Sequence, residues 1–178
     1  MVKAGYKQTE VGEIPEDWSV KKMGEVGHPI IGLTYSPNDV SEDGMLVLRS
    51  SNVQKNKLAF NNNVFVKGDV PSRVIVKKGD LLICVRNGSK KLIGKCALID
   101  QTTAGVAFGA FMSIFRSDDS EFLFYQFQSN IIQHQIDEAM GAKHNENFMA
   151  HLDRCMPHWR HARDVLKSEP LSHEEWDY

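Results

Sequence analysis

Hydrophobic residues in this chain come in short runs separated by turn formers, and most of the runs have the length of strands. Met45–Arg49 (MLVLR) lies between Gly44 and Ser50-Ser51-Asn52, and Leu81–Val85 follows the Lys78-Gly79-Asp80 turn as an unbroken apolar run. Runs this short, bounded by turn signals, predict buried strands rather than helices. Val64–Val66 and Leu92–Ile99 read the same way. So does Ala104–Phe115, where Gly105 and Gly109 fit a bulge or a close backbone approach. Residues 34–44 (TYSPNDVSEDG) and the Lys67–Pro71 stretch are rich in turn formers and predict surface loops. Residues 1–17 have little to bury and predict an extended arm anchored by Trp18. Trp18–Val26 reads as a strand passing into a turn, broken by Gly27, Pro29 and Gly32.

The period changes after Ser117. Asp118 with Glu121 three residues on resembles a capping arrangement. Phe124, Phe127 and Ile131 then recur at i, i+3 and i+7, predicting one amphipathic helix to about Ala139, closed by Gly141. A second helical period runs over residues 145–168 through Phe148, Leu152, Cys155 or Met156, Trp159, Ala162 and Leu166, with Pro157 predicting a kink. The division expected is a domain over 1–142 and a helical, acidic tail over 143–178.

Composition narrows the partners. With 42% hydrophobic residues among 178, the chain can bury a core, and a net charge of −2 excludes a uniformly basic protein. No apolar run approaches the ~18–20 residues that span a membrane. The polar N-terminus lacks the apolar centre of a signal peptide, and three cysteines without CxxC spacing suit reduced thiols, so a cytoplasmic location is expected. Positive charge is nevertheless concentrated. Between Val76 and Ile99 stand Lys77, Lys78, Arg86, Lys90, Lys91 and Lys95 against Asp80 alone.

That stretch reads as strand, basic loop, strand. Arg86, Asn87, Ser89, Lys90 and Lys91 combine donors for phosphate with side chains able to read base edges, since arginine bonds guanine and asparagine bonds adenine bidentately. A second polar patch, Arg49-Ser50-Ser51-Asn52 with Lys55 and Lys57, leaves a strand end as a binding loop would. On residue types alone, a solvated hairpin tip and an ordinary turn are the favoured readings of the two patches.

Other chemistry finds less support. His151, Cys155, His158 and His161 would share a helix face and include legitimate zinc ligands, but Pro157 interrupts that face, so no metal is expected. The chain has no GxGxxG after a strand, GxxxxGK[ST], HExxH, GxSxG or Asn-Pro-Pro-aromatic tetrapeptide, and Cys84 and Cys96 lie in apolar runs as core residues. An enzyme acting alone is not expected.

Several landmarks, in order, carry a resemblance. Gly5-Tyr6-Lys7-Gln8-Thr9-Glu10-Val11-Gly12-Glu13-Ile14-Pro15-Glu16-Asp17-Trp18 resembles the opening of specificity subunits of type I restriction–modification systems. Leu48–Val53, Lys78–Ile83, Asn87-Gly88-Ser89 through Ile93-Gly94-Lys95, Ala110-Phe111-Met112 and Phe122–Ser129 resemble later landmarks of that family, so the likeness covers roughly residues 5–140. It implies a single mixed α/β (α+β) target recognition domain. The expected fold has a twisted, mostly antiparallel sheet, one amphipathic helix packed on it and a helical tail.

The resemblance also implies function. Such a domain reads part of a double-stranded DNA sequence and performs no chemistry. It holds no cofactor, because S-adenosylmethionine belongs to the partner modification (methyltransferase) subunit, and a restriction subunit cleaves. Lys77, Lys78, Lys90, Lys91 and Lys95 are expected on phosphates. Arg49, Asn52, Arg86, Asn87 and Ser89 are expected at base edges, and Ser50 among the DNA-binding residues. After Gly141 the chain departs from the family pattern, which leaves open a shortened or decayed half-subunit and a self-associating half in which two copies, as a homodimer, supply two domains. The competing expectation is a self-association or protein-interaction module that uses Phe148, Leu152 and Trp159.

Overall fold

The computed structural model describes residues 2–142 and 155–159. At the start, Tyr6–Thr9 (β1) and Gly12–Pro15 (β2) pair as an antiparallel hairpin rather than an extended arm. Gly12, at φ 108°, accepts the backbone angle that the reversal needs, and the Thr9 hydroxyl donates to its carbonyl at 2.7 Å. Trp18–Lys22 (β3) passes through one helical turn, Met23–Val26 (α1), into His28–Ile31 (β4). Pro29 does not end the segment, because β4 lies at a sheet edge where a missing donor is tolerated. Trp18 is the expected anchor, its ring meeting Phe122 edge-on with centroids 5.9 Å apart.

Val40–Ser41 (β5), Met45–Leu48 (β6), Val53–Gln54 (β7), Lys57–Leu58 (β8) and Phe65–Val66 (β9) follow. Then come Leu81–Cys84 (β10), Cys96–Leu98 (β11), Ala107–Phe108 (β12) and Met112–Arg116 (β13). One sheet has the order β11-β10-β13-β4 and is antiparallel throughout. The other has the order β12-β6-β9-β5, with only β12 and β6 parallel. Strands β7 and β8 form a small hairpin.

Alternation along β10 explains the layers. Side chains on a strand point to opposite faces in turn. Leu81, Ile83 and Val85 join Phe115, Leu123, Phe127, Ile132 and Ile136 on the helix side. Leu82 and Cys84 join Leu48, Val74, Phe108, Met112 and Ile114 on the side of the second sheet. All four β10 residues are fully buried, as a strand covered on both faces must be. The chain is therefore mixed α+β with a mostly antiparallel core, the class the resemblance implies. Among the described residues no helix is long and apolar enough to cross a membrane.

Several expectations are corrected. Ala104–Phe115 is not one bulged strand: β12 belongs to the second sheet and β13 to the first, and the chain changes sheets at Gly109–Phe111. Leu92–Ile99 is strand only over β11, because Lys90–Leu92 forms a 3-10 turn. The single helix divides into Ser120–Gln128 (α2) and Asn130–Ala142 (α3), and α2 is preceded by Asp119 without a side-chain cap bond. Extended Ser129 separates them, its hydroxyl donating to the Gln126 carbonyl at 2.7 Å and accepting from the Ile132 amide at 3.4 Å. The break shifts the helical phase, so Leu123 and Phe127 are followed inward by Ile132 and Ile136 while Ile131 is exposed.

The helix expected over 145–168 is contradicted where it is described. Cys155–Trp159 (β14) pairs antiparallel with β3, setting Pro157 opposite Val20 and Trp159 opposite Trp18. An extended strand accommodates the proline that a helix interior rejects. The remainder of that period and the acidic tail lie outside the described residues.

Candidate nucleic-acid interface

The loop that leaves β10 is built around Asn87. Its Oδ1 accepts the Ser89 amide at 3.0 Å, closing a local turn, and its Nδ2 donates to the Ser50 hydroxyl at 3.0 Å. This second bond ties the basic loop to the Arg49–Asn52 patch, 37 residues away in sequence. The sequence singled out both patches but gave no reason to join them.

The Arg49–Asn52 patch is fastened in turn to the loop at 59–63. Asn52 Oδ1 accepts the Arg49 amide at 2.9 Å, and its Nδ2 donates to the Ala59 carbonyl at 2.9 Å and to Asn63 Oδ1 at 3.0 Å. Arg49 Nη2 donates to Asn62 Oδ1 at 3.1 Å, while its buried Nε has no partner. A fourth element is the Gly109–Phe111 turn, where the Phe111 carbonyl accepts the amides of Val85 at 3.0 Å and Arg86 at 3.1 Å. Four loops, which follow β6, β8, β10 and β12, thus come together, held by bonds to the fold and to one another.

Four of the expected site residues are engaged within the fold. Asn52 is 0% exposed with its amide engaged by Arg49, Ala59 and Asn63, so it shapes the loop. Lys95 Nζ donates to the Val53 carbonyl at 2.7 Å and braces the β7–β8 hairpin, so one of its three donors serves the fold. Ser50 has its hydroxyl occupied as the acceptor for Asn87. Asn87 is likewise half-buried and engaged at both ends of its amide, so it holds the loop more than it projects from it.

Arg86, Ser89, Lys90 and Lys91 are exposed on this end. Lys90 lies 3.7 Å from Asp137 across open solvent, a pairing too exposed to restrain it much. Lys77 and Lys78 are exposed too, but they precede β10 whereas Arg86 follows it. Four residues of strand separate the two sets by about 13 Å along the sheet. The positive charge that is continuous in sequence is therefore divided between opposite ends of one strand.

At the far end the single acidic residue of the stretch finds its role. Asp80, 2% exposed, accepts two bonds from Arg116, Nε to Oδ1 and Nη2 to Oδ2, both 2.7 Å, and the Lys77 amide at 2.7 Å. The hydrogen bonds that Arg116 donates to Asp80 hold its guanidinium above its ordinary pKa. This pair pins the turn into β10.

Cys84 and Cys96 are core, as expected. Burial pushes Cys96 up to about 12 and raises Cys84 as well, with the charge of Lys95 opposing the shift at Cys84. Among the described residues no group of histidine, cysteine and carboxylate side chains is placed to hold a metal. The helix face proposed for Cys155 and His158 does not exist, since both lie on β14, and His151 and His161 fall outside the described residues, as do Phe148 and Leu152.

Sequence reasoning overlooked Asn62, Asn63 and Phe111. The run Asn61-Asn62-Asn63 marks a turn, and only the fold carries it to the Arg49 patch.

No family model matches the chain. It is 29% identical over 144 residues to the specificity subunit of the type I restriction enzyme MjaVIII of Methanocaldococcus jannaschii, covering 76% of this chain and 33% of that protein. It is 28% identical over 144 residues to the EcoKI specificity subunit of Escherichia coli, covering 76% and 31%. Among solved structures, the HsdS subunit from Thermoanaerobacter tengcongensis superposes with a TM-score of 0.60 at 15% identity, over 92% of this chain and 38% of that one. A structure describing complex assembly of a type I R-M system gives 0.62 at 15% identity, over 91% and 39%. The fold is shared with these chains, and this one spans about a third of the length of the curated relatives it matches.

Proposed function

We propose that this chain, whose homologues are specificity subunits of type I restriction enzymes, reads part of a double-stranded DNA sequence through the loop end of its two sheets. The observation that carries the reading is the convergence of the 49–52, 59–63, 86–92 and 109–111 loops, locked by Asn87 to Ser50 and by Asn52 to Ala59. Loops held this rigidly present side chains at fixed spacing, as readout of base edges requires.

In this reading Arg86 is the principal base reader, since a guanidinium can bond guanine at two points in the major groove. Arg49, reachable at the same end, and Ser89 supply further polar contacts, and Lys90 and Lys91 sit on phosphates. The chain itself performs no chemistry. A modification subunit carrying S-adenosylmethionine would methylate, and a restriction subunit would cleave, at the place this domain selects.

Selection of bound duplexes from a random library, at stated salt, tests the reading by yielding a short motif. On the recovered site, Arg86→Ala should weaken binding by about 1–3 kcal/mol and relax discrimination at one base pair. Lys90→Ala should weaken all sequences alike and reduce the salt slope by about 0.9. Lys78→Ala, at the far end of β10, is the control for location and should leave the slope unchanged. A library that emerges without enrichment would refute the proposal.

A further inference from the structure

We infer that Phe111 is a specificity-determining contact that reads the 5-methyl group of a thymine in the major groove, an inference that rests on the DNA-reading role proposed above. Phe111 is 58% exposed, more than any other large hydrophobic side chain among the described residues. A single exposed phenylalanine is unremarkable by itself. This one differs in how its backbone is held and in what stands beside it.

The turn that carries it is fixed on every side. Its carbonyl accepts the amides of Val85 and Arg86, the Ala110 amide donates to the Leu33 carbonyl at 2.9 Å, and the Met112 amide donates to the Gly109 carbonyl at 2.8 Å. Gly32 lies so close beneath that a Cβ there would collide with the Gly109 carbonyl. Gly109 and Met112, on either side of the tip, are buried. A ring exposed on so rigid a base gains nothing for the core, and loses little entropy when a partner covers it.

The neighbour defines the chemistry. Arg86 shares the Phe111 carbonyl through its own amide, so the apolar ring and the exposed guanidinium issue from adjoining backbone. If Arg86 bonds a base edge, it does so in the major groove, and Phe111 enters the same groove. The apolar feature that a base pair offers there is the thymine methyl, and an aromatic side chain is among those that meet it. Insertion between base steps belongs chiefly to minor-groove binders, which does not match this pairing.

The test uses the full chain and the duplex recovered by selection, with each thymine replaced in turn by deoxyuridine to remove only its methyl. Wild type should lose about four-fold in affinity at one position, the worth of one buried methyl group. Phe111→Ala should abolish that sensitivity while keeping discrimination at the base pair read by Arg86, and Phe111→Leu should keep part of it. The inference is overturned if cognate and shuffled duplexes are distinguished but no uracil substitution matters, or if Phe111→Ala remains uracil-sensitive. A selected site without thymine overturns it as well, as does a rise in 2-aminopurine fluorescence on binding without a uracil effect, which would signal insertion. Failure to distinguish cognate from shuffled DNA at all would instead defeat the DNA-reading role, and this inference with it.

Discussion

Truncating Asn52 separates two roles that the residue type alone leaves confounded. Asn52→Ala removes the acceptor of the Arg49 amide and the donors to the Ala59 carbonyl and Asn63 Oδ1. Asn63 is exposed and regains water, but the Arg49 amide and the Ala59 carbonyl belong to half-buried residues and lose their partners. An orphaned buried group costs about 1–3 kcal/mol, and half-burial places each of these two near the low end, so the expected loss is about 2–3 kcal/mol. With a urea m-value of about 2 kcal/mol/M, the unfolding midpoint should fall by about 1–1.5 M. The assay is equilibrium urea unfolding followed by tryptophan fluorescence, run beside DNA titration in the absence of denaturant. Arg49 should become less discriminating only as a consequence of its loosened loop. The reasoning is refuted if the midpoint moves by less than about 0.3 M while discrimination falls as far as in Arg86→Ala. That result would make Asn52 a direct base reader despite its burial.

Two further outcomes follow from the far end of β10 and from the core. Arg116→Met leaves the Asp80 carboxylate buried without its ion-pair partner and should destabilise by about 3–5 kcal/mol, readable by thermal or urea unfolding, while folded protein keeps its DNA affinity. Cys84 and Cys96, both raised by burial, should resist a thiol-directed reagent at pH 8 in the native chain and react fully after denaturation, as peptide mass mapping would show. Reaction of Cys96 at the rate of a free thiol under native conditions would contradict its placement.

The strands of the core were legible because burial on both faces leaves an uninterrupted apolar run, and Leu81–Cys84 is such a run. Trp18 was legible for the same reason, a large apolar surface with nowhere local to go. The break at Ser129 was hidden. Its hydroxyl serves both flanking helices, and a serine within an amphipathic period carries no mark of that. The strand at Cys155–Trp159 was hidden too, because its pairing partner is β3, far away in sequence, and the helical spacing of apolar residues there is coincidental.

The site divides along the same line. The sequence by itself determined that positive charge is concentrated between Val76 and Ile99 and that polar loop residues follow the strands at Arg49 and Arg86. Only tertiary structure decided which of those residues share a surface. Strand direction sends Lys77 and Lys78 to one end and Arg86, Lys90 and Lys91 to the other, although all five are neighbours in the chain. Hydrogen bonds spanning 37 and 42 residues then enlist Asn87 and Lys95 to brace the loops. Composition is a local property, whereas exposure and juxtaposition depend on pairings between distant segments, and those pairings decide which of these residues share one end of the sheets.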